Sequence, residues 1–453
     1  MLGTRYRLDS SWRRPGDGTV VIAGSPLRLF RLSTGGAQVA AMVEVGEAPD
    51  TAAVHQLLDR FVDAGALHPE HRQGPFNMAD VTVVIPAYDA PDVQLPARVQ
   101  VIIVDDASPT PLVVHVKPSP RVTVLRHDTN RGPGAARNTG LAQVTTPLVA
   151  FLDTDVFAPE GWLAALLTHF ADDRVALVAP RVAGAPGSSW SARYEQRHSP
   201  LDLGDEPARI VAGTRVSYVP AAALLCRVSA LRDIGGFDES MRLGEDVDLV
   251  WRLARAGHRC RYEPASVVQH RPRPTFTALL RQRFGYGHSA AQLAQRHPGA
   301  LAPVRMSGWS ALTWLLIAAR RPVLAIGVAV ATTVALQRKL HDVPPAESAR
   351  LAGLGHLAAG RQLAEAIVRV WWPFALVAAA ICRRARPSIA AAFVLPALFD
   401  AARQRSARPL LDAPLLAADQ MAYGAGVCAG VVAQRAAGPL WPSFRNWPQR
   451  GAG

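Results

Sequence analysis

Hydrophobic and polar residues follow different patterns along this chain, and each pattern predicts a different kind of element. Residues 81–86 and 99–104 are continuous apolar, β-branched runs, and shorter runs of the same kind lie at 122–125, 148–152 and 176–179. Such runs are typical of strands that are buried on both faces, as in a parallel sheet. Helical stretches lie between several of them. This part of the chain is therefore predicted to form an α/β domain.

The residues before this region predict a small separate unit. Residues 19–24 and 27–32 have the pattern of two short strands around a turn, and residues 52–62 have helical periodicity that ends towards Gly65. By pattern, without signature residues, this resembles the PqqD-like winged-helix modules that recognise peptide substrates in ribosomal natural-product pathways. A generic α+β extension is the alternative.

After about residue 275 the chain becomes rich in alanine, leucine and arginine. Apolar stretches lie at 309–319, 323–337, 372–382, 389–399 and 423–433. None of them offers the ~20 clean apolar residues that a simple membrane-spanning helix needs. Arginines at 320–321 and 383–386 flank them like interfacial anchors. The pattern predicts a hydrophobic helical region associated with the membrane, either embedded or lying on its surface; a soluble helical subdomain is the alternative.

Composition and charge narrow the classes of partner. The formal net charge of +13 suits nucleic acid, an anionic membrane surface or phosphorylated substrates. Because no recognised nucleic-acid-binding motif accompanies the arginines, nucleic acid is not an expected partner. The four cysteines are far apart and lack C-x-x-C spacing, which argues against a zinc site and favours a reducing compartment. The N-terminus shows no apolar segment of a cleaved secretory signal.

Two acidic residues at the end of a predicted strand give the first indication of chemistry. Asp153 and Asp155 follow the apolar run 147–152, which places them at the edge where open α/β sheets bind ligands. Two carboxylates one residue apart suit Mg²⁺ or Mn²⁺, and such an ion can hold a diphosphate. An isolated Asp-x-Asp is more often a pair of loop acids facing water, so its interpretation depends on the other motifs.

Four further motifs occur in a fixed order around this pair. They are a strand-to-loop segment at 84–89, an acidic turn at 103–108, a Gly-rich loop at 130–140 ending in Ala-Arg-Asn-Thr-Gly, and an acidic helix start at 235–249. Together with the Asp-x-Asp, they resemble the family 2 glycosyltransferases. The resemblance covers about residues 80–290. It implies a GT-A fold, the Rossmann-like fold of nucleotide-diphospho-sugar transferases.

The resemblance also implies roles for individual residues. The nucleotide-sugar donor is expected to bind at Pro86, Tyr88, Asp105, Asp106, Arg137 and Asp153. Asp155, Asp153 and His270 are expected to hold Mg²⁺ or Mn²⁺, which offsets charge on the departing diphosphate. For His270, a core or surface histidine is the alternative. Asp246 is expected to be the general base that takes the proton of the acceptor hydroxyl in an inverting transfer.

The order of the three regions resembles the glycosyltransferases of the mycofactocin system. The predicted domains are a PqqD-like module at 1–75, a GT-A catalytic domain at 79–275 and an Arg-rich, membrane-associated helical region at 276–453. The resemblance implies a metal-dependent enzyme at the cytoplasmic face of the cell membrane. It would build a β-linked glycan by moving a hexose, with UDP-glucose favoured as donor, to a peptide-derived acceptor, mycofactocin or its precursor. A polyprenyl-phosphate sugar transferase and a catalytically degenerate peptide-carrier protein are the alternatives.

One segment departs from the family pattern. Only residues 89–98 lie between Tyr88 and Val99, where the family has a full helix. A parallel crossover usually needs about a dozen residues or more. The sequence therefore predicts either a tight irregular connection or the loss of this helix, and both would change the shape of the nucleotide pocket.

Overall fold

The computed structural model describes residues 4–47, 51–90, 93, 95–96, 99–112, 122–403 and 409–445. Its contacts divide the chain into two compact units. The first contains Met1–Trp12, Ala23–Leu27 and Thr34–Pro274, and the second contains Arg13–Ile22, Arg28–Ser33 and Thr275–Gly453. The three domains predicted from the sequence stay a prediction.

The described residues form strands and helices in the following order. The strands are β1 (Arg5–Leu8), β2 (Val20–Ala23), β3 (Arg28–Arg31), β4 (Leu67–Glu70), β5 (Val81–Ala87), β6 (Gln100–Asp105), β7 (Val122–Arg126), β8 (Leu148–Leu152), β9 (Val156–Phe157), β10 (Val175–Gly184), β11 (Ala208–Arg209), β12 (Ala223–Arg227), β13 (Arg259–His270), β14 (Arg305–Met306) and β15 (Ser443–Phe444). The helices are α1 (Thr34–Glu44), α2 (Ala52–Ala64), α3 (Pro133–Gln143), α4 (Trp162–Thr168), α5 (Trp190–His198), α6 (Val228–Asp233), α7 (Glu245–Arg255), α8 (Phe276–Arg296), α9 (Gly308–Ala318), α10 (Pro322–Lys339), α11 (Pro345–Arg369), α12 (Trp372–Ile381), α13 (Arg386–Arg403) and α14 (Pro409–Gln434).

A nine-stranded mixed sheet is the centre of the first unit, in the order β11-β13-β10-β12-β8-β5-β6-β7, with β9 beside β13. Strand β5 runs parallel to both β6 and β8, whereas β12 is antiparallel to β8 and β10. The apolar runs at 81–86, 99–104 and 148–152 become buried central strands, because both faces of the sheet are covered there, whereas the run at 122–125 becomes the largely exposed edge strand β7. The α/β prediction is confirmed. Strand ends therefore meet along one edge of the sheet, where the predicted site lies.

Alternate residues of the central strands build the core on one face of this sheet. Its members include Val81, Val83, Ile85, Val101, Ile103, Leu148, Ala150, Leu152, Leu163 and Leu166. The alternation follows from the two-residue period of a strand, which turns the residues in between to the opposite face. On that opposite face Val84 contacts α3, where a Cβ on Gly140 would lie 2.3 Å from Val84 Cγ1.

The segment between β5 and β6 lies partly outside the described residues. Positions 91–92, 94 and 97–98 are not described, so the predicted loss of a helix falls partly on them. The described positions Val93, Leu95 and Pro96 form no regular element, and Val93 and Leu95 pack against the core. The question of a full helix at 89–98 stays a prediction.

The N-terminal segment of the first unit is joined to the large sheet by ion pairs. Strand β1 pairs antiparallel with β4, and α2 begins at the Thr51 cap and ends at Gly65, which has φ of +70° as helix ends with glycine commonly do. In β13, Arg259 binds two carboxylates of α2, Asp59 at 2.6 Å and Asp63 at 2.7 Å. The winged-helix assignment stays a prediction.

From Thr275 onwards the second unit is mainly helical, and glycines let two of its helices approach closely. A Cβ on Gly287 of α8 would lie 1.9 Å from the carbonyl oxygen of Tyr423 in α14. A Cβ on Gly426 would lie 2.0 Å from the carbonyl oxygen of Phe284. Small residues at a helix crossing allow backbones to come together in this way. Helices α8 and α14 therefore form one tightly packed pair.

One described helix is long and apolar enough to cross a membrane, Ala413–Gln434, with 22 residues. The sequence pattern underestimated this element, because the apolar run at 423–433 continues as helix through the more polar residues before it. Helices α11 and α12 pass the same test only when taken together, and they meet at 89°. A single such helix is a weak indication of membrane association.

Candidate active site

The acidic turn after β6 holds the Gly-rich loop that begins α3. Asp106 accepts hydrogen bonds from the backbone N–H groups of Arg131 at 2.8 Å and Gly132 at 2.7 Å. His127 Nδ1 lies 2.7 Å from Asp106 Oδ1. Gly132 has φ of +95°, which a residue without Cβ adopts without strain. The carboxylate of Asp106 therefore fixes the start of α3.

The neighbouring carboxylate, Asp105, is also bound by protein groups. It accepts from the Ser108 backbone N–H at 2.9 Å and forms an ion pair with Arg126. Burial acts to raise the pKa of Asp105, but the hydrogen bonds from Ser108 and Arg126 hold that pKa below its ordinary value. Of the other predicted donor residues, Pro86 is in β5 and Tyr88 follows the strand with its side chain about half exposed.

Three residues of the Ala-Arg-Asn-Thr-Gly string have separate structural tasks in α3. Asn138 donates to the backbone oxygen of Phe237 at 2.8 Å and accepts from the Phe237 N–H at 2.9 Å. Gly140 lets α3 pack directly against Val84, because a Cβ at position 140 would overlap the Val84 side chain. Arg137 binds acidic residues. The helix is thus held between the sheet and the loop before α7.

Arg137 is a buried cation that joins two acids. Its Nη2 donates to Asp153 Oδ1 at 2.7 Å and its Nη1 to Glu245 Oε1 at 2.8 Å. Its guanidinium also lies over the ring of Phe237, 5.4 Å from the centroid. Burial alone would lower the pKa of Arg137, but the charges of Asp153 and Glu245 raise it above its ordinary value. Arg137 therefore stays charged and holds the end of β8 to the start of α7.

The Asp-x-Asp pair lies where the sequence predicted it, directly after β8. The backbone N–H of Asp153 donates to the oxygen of Ala222 at 2.9 Å, which continues the pairing of β8 with β12. Burial raises the pKa of Asp153, against the opposing charge of Arg137. About three-tenths of each side chain, Asp153 and Asp155, is exposed. Both carboxylates can therefore meet a ligand.

Asp155 has two basic neighbours from the end of β13. His270 Nε2 lies 3.2 Å from Asp155 Oδ2, and Arg273 Nη2 lies 3.3 Å from the same oxygen. Burial acts to raise the pKa of Asp155, but the hydrogen bond from His270 and the charges of His270 and Arg273 lower it below its ordinary value. The backbone N–H of Arg273 donates to Glu195, a buried carboxylate, at 2.7 Å.

Asp246 lies at the start of α7, next to Glu245. It accepts from the Ala221 N–H at 3.1 Å and from the Val247 N–H at 2.8 Å. Burial raises the pKa of Asp246 above its ordinary value. Burial and the charge of Asp246 also raise the pKa of Glu245, to about 7, although Arg137 opposes this. A half-buried carboxylate of raised pKa is suited to accept a proton.

The donor types at the sheet edge suit a divalent cation. Asp153 and Asp155 offer hard oxygen ligands, and His270 Nε2 converges on Asp155 Oδ2, so the chemistry of this set fits Mg²⁺ or Mn²⁺. Among the described residues, no group of three His, Cys, Asp or Glu side chains is arranged to hold a metal ion. In this structure each of the two carboxylates has an arginine partner, Arg137 at Asp153 and Arg273 at Asp155.

Comparisons with known proteins decide the family. The model of Glycosyl transferase family 2 matches residues 82–235. The chain is 40% identical over 465 residues to the pre-mycofactocin glycosyltransferase of Mycobacterium tuberculosis, and the match covers 98% of each protein. The chain belongs to glycosyl transferase family 2. It is an enzyme of the glycosyltransferase class with a GT-A-like fold.

Two further proteins are similar to this family 2 glycosyltransferase at lower identity. The succinoglycan biosynthesis protein ExoO of Rhizobium meliloti is 29% identical over 221 residues, which cover 45% of this chain and 64% of that protein. The structure of a mannosyltransferase from Pyrobaculum calidifontis, in complex with GDP-Man and Mn²⁺, is 17% identical. It aligns with a TM-score of 0.40 over 77% of this chain and 88% of that one.

In this family 2 glycosyltransferase, most predicted site residues fall into two connected groups. Asp106 is linked through the Gly-rich loop to α3, and Arg137 of that helix reaches Asp153. Asp155 and His270 form the second group, at the adjacent strand end. Contacts of these side chains with donor or metal stay predictions.

Sequence reasoning did not single out two of the charged residues in these groups. Arg273 lies three positions after the strand-ending His270, and Glu245 directly precedes the proposed base. The basic run Arg271-Pro272-Arg273 after a predicted strand was a signal for the first of them. The pairing of Glu245 with Arg137 spans 108 residues, and no local pattern indicates it.

Proposed function

We propose that this glycosyltransferase moves a hexose from a nucleotide sugar to a peptide-derived acceptor, pre-mycofactocin or a product of it, with inversion at the anomeric carbon. UDP-glucose is the favoured donor, and the product is a β-linked glycan. The observation that carries the proposal is the 40% identity over 98% of both chains to a pre-mycofactocin glycosyltransferase. The retained acids at the sheet edge support it, because each has a task in such a transfer.

On the acceptor side, Asp246 takes the proton of the attacking hydroxyl. Its two oxygens are oriented by the N–H groups of Ala221 and Val247, which leaves further lone pairs for a hydroxyl. Burial raises its pKa and so its affinity for that proton. Glu245 lies beside it and is held by Arg137, which keeps the helix start in place.

On the donor side, the diphosphate lies at the ends of β8 and β13. Asp153, Asp155 and His270 would hold Mg²⁺ or Mn²⁺ there, and the bound cation would neutralise charge on the leaving nucleoside diphosphate. Arg137 keeps Asp153 in position through the contact at 2.7 Å. Asp105 and Asp106 shape the loop that closes on the nucleotide. The binding of donor by these residues is part of the proposal.

The N-terminal segment binds the acceptor in this proposal. The paired strands β1 and β4 and the capped helix α2 fit a small recognition module, in line with the PqqD-like pattern. The ion pairs of Arg259 with α2 fix this part of the segment to the sheet that carries the active site. Peptide recognition and sugar transfer would then both occur within the first unit.

The C-terminal helices hold the enzyme at the cytoplasmic face of the cell membrane in this proposal. Large apolar side chains are exposed on α10 and α12, among them Val323, Ile326, Phe374 and Ile381. Arginines at 320–321 and 383–384 end or follow the adjacent helices, as is typical of surfaces that rest on anionic lipid.

The decisive experiment compares nucleoside-diphosphate release by wild type, Asp246→Asn and Asp238→Asn, each with Mn²⁺ or Mg²⁺, across a set of sugar nucleotides. Asp238 is the matched control, because its carboxylate binds Ser240 in an exposed turn. We expect acceptor-dependent release with one donor, a loss of about 10²–10⁴-fold in Asp246→Asn and none in the control. Unchanged turnover in Asp246→Asn would reject the assignment of the base.

Acceptors decide between the alternatives. The exposed apolar helices would equally suit a polyprenyl-phosphate sugar transferase, so the same assay is run with polyprenyl phosphate and with a peptide-derived acceptor. Transfer to the lipid phosphate alone would overturn the proposed acceptor. The absence of nucleoside-diphosphate release with every donor and acceptor would favour a catalytically degenerate peptide carrier.

A further inference from the structure

Residues 271–274, directly after β13, carry the arginine that pairs with Asp155. The Arg271 N–H donates to the carbonyl oxygen of Asp155 at 2.8 Å, which ties the start of this segment to the Asp-x-Asp loop. The residues on either side of Arg273 are prolines, which lack a backbone N–H. The position of Arg273 therefore depends on the group that accepts a hydrogen bond from its own N–H.

This acceptor is the carboxylate of Glu195, which comes from helix α5. Glu195 is 2% exposed, and its Oε2 accepts from the Arg273 N–H at 2.7 Å. Loss of such a contact is costly, because a buried donor or acceptor without a partner also lacks water. The contact therefore fixes the backbone of Arg273 to α5.

Helix α5 is itself packed tightly against the end of β10 and the turn that follows it. A Cβ on Gly184, the last residue of β10, would lie 2.8 Å from the Cα of Gln196 in α5. A Cβ on Gly187 would lie 2.4 Å from Ala192 Cβ and 3.7 Å from Pro272 Cγ. The turn, the helix and the segment after β13 thus lie in direct contact, so Glu195 is a firm support.

The side chain of Arg273 lies against a proposed metal ligand. Its Nη2 is 3.3 Å from Asp155 Oδ2, the oxygen that His270 Nε2 approaches at 3.2 Å. Both side chains of the arginine pair are about one-third exposed, and ion pairs of this kind hold their partners only weakly. The buried backbone contact with Glu195 therefore does more than the ion pair to keep the guanidinium at this carboxylate.

We propose that Glu195 is a positioning residue of the metal site: it holds Arg273 beside Asp155 and so lowers the affinity of that carboxylate for a divalent cation. The inference rests on the metal site of the proposed function. Two properties of Glu195 can be separated by substitution. The length of its side chain brings Oε2 to the Arg273 N–H, whereas its charge would attract a cation from a distance. Positioning depends on the length.

Two substitutions that each keep one of these properties test the inference. Glu195→Gln keeps the length and an uncharged acceptor oxygen, and Glu195→Asp keeps the charge but is one methylene shorter. The Kd of Mn²⁺ is measured by electron paramagnetic resonance with saturating UDP, below the melting midpoint of each variant. We expect a Kd about 2–10-fold lower than wild type in Glu195→Asp, and within about twofold of wild type in Glu195→Gln.

A double variant shows whether Glu195 acts through Arg273. The shift caused by Glu195→Asp should disappear in the Arg273→Gln background, because no guanidinium is left to position. Glu263→Asp is the matched control, since its carboxylate also accepts from a backbone N–H of β13, that of Ala265 at 3.0 Å. The Kd of this control should equal that of wild type.

Each contrary result overturns a defined part of the argument. A changed Kd in Glu195→Gln with an unchanged Kd in Glu195→Asp would mean that Glu195 acts by its charge, and would overturn the inference. So would a shift that persists in the double variant, or one that Glu263→Asp also shows. Wild type without Mn²⁺ binding would overturn the proposed metal site itself, and this inference with it. The two failures are therefore distinguishable.

Discussion

Arg137 Nη2 lies 2.7 Å from Asp153 Oδ1, and the same guanidinium reaches Glu245 Oε1 at 2.8 Å. One buried cation thus connects the Asp-x-Asp strand end to the helix start that carries the proposed base. The acids on both sides have pKa values raised by burial, so their arrangement depends on the charge between them. Changes at Arg137 should therefore affect stability and activity together.

Arg137→Lys is expected to damage this connection although it keeps the charge. A lysine ammonium is a single point charge and does not reproduce two directed contacts made by separate nitrogens of one planar group. We expect the free energy of unfolding to fall by about 2–4 kcal/mol, since a buried pair is disrupted, and transfer to fall by about 100-fold. Denaturant unfolding and nucleoside-diphosphate release measure the two effects.

Arg131→Lys is the matched control for this prediction. Arg131 also pairs with a glutamate, Glu239 at 2.7 Å, but both side chains are over two-fifths exposed. Exposed pairs contribute little, so a change within about 0.5 kcal/mol is expected. Equal behaviour of the two lysine variants would contradict the role assigned to Arg137.

Gly140→Ala should separate α3 from the sheet. The new Cβ would lie 2.3 Å from Val84 Cγ1, far inside contact distance, and Val84 is fully buried. Overpacking of this kind costs about 1–3 kcal/mol of unfolding free energy. Gly35→Ala in α1 is the control, because open space surrounds that glycine, and it should be neutral or slightly stabilising. Val84→Ala should restore part of the loss in the Gly140→Ala background.

Hydrophobic patterning predicted the central sheet closely. The predicted run at 148–152 is strand β8, and the predicted run at 122–125 lies within β7. Strand β8 could be predicted because burial on both faces leaves an uninterrupted apolar sequence, whereas β7 is the edge strand of the sheet and is largely exposed. The end of α2 at Gly65 could be predicted for a different reason, since the left-handed backbone conformation that ends many helices favours glycine.

The charged contacts of the site were less accessible to sequence reasoning. Asp106 was predicted to bind the donor, which stays a prediction; in the structure its carboxylate accepts hydrogen bonds from the backbone N–H groups of Arg131 and Gly132. Arg273 meets Asp155 only because β13 and β9 pair and bring two chain segments together. Such partners depend on tertiary approach over long separations, which local periodicity does not encode.

The pH dependence of stability should report on Glu245. Burial and Asp246 raise its pKa from 4.5 to about 7, so the folded state binds the proton more tightly than the unfolded state. Its contribution to the free energy of unfolding is therefore complete below about pH 4.5 and is lost as pH rises through about 7. The change is on the order of 1–3 kcal/mol.

Glu245→Gln should flatten this part of the profile. Midpoints of thermal unfolding are compared between pH 5 and pH 8 for wild type, Glu245→Gln and the control Glu239→Gln, whose carboxylate is exposed. We expect the fall with rising pH to be smaller in Glu245→Gln and unchanged in the control. A parallel profile in all three proteins would mean that Glu245 is ionised across the whole range.

Arg273→Gln is expected to tighten the binding of Mn²⁺. Arg273 Nη2 lies 3.3 Å from Asp155 Oδ2, and His270 Nε2 lies 3.2 Å from the same oxygen, so a metal ion at Asp155 would share its ligand with a cation. Removing that positive charge should lower the Kd of Mn²⁺ by about 3–10-fold, a modest effect because both side chains of the pair are about one-third exposed.

Arg271→Gln provides the control for this charge effect. Arg271 is an arginine two positions before Arg273. Its backbone N–H donates to the carbonyl oxygen of Asp155 at 2.8 Å, and this contact is kept when the side chain is changed. Free Mn²⁺, measured by electron paramagnetic resonance with saturating UDP, gives the Kd of each protein. Tighter binding in Arg273→Gln alone would mean that the arginine competes with the metal ion for Asp155. Weaker Mn²⁺ binding in Arg273→Gln would contradict this prediction and would mean that Arg273 orients Asp155 as a metal ligand.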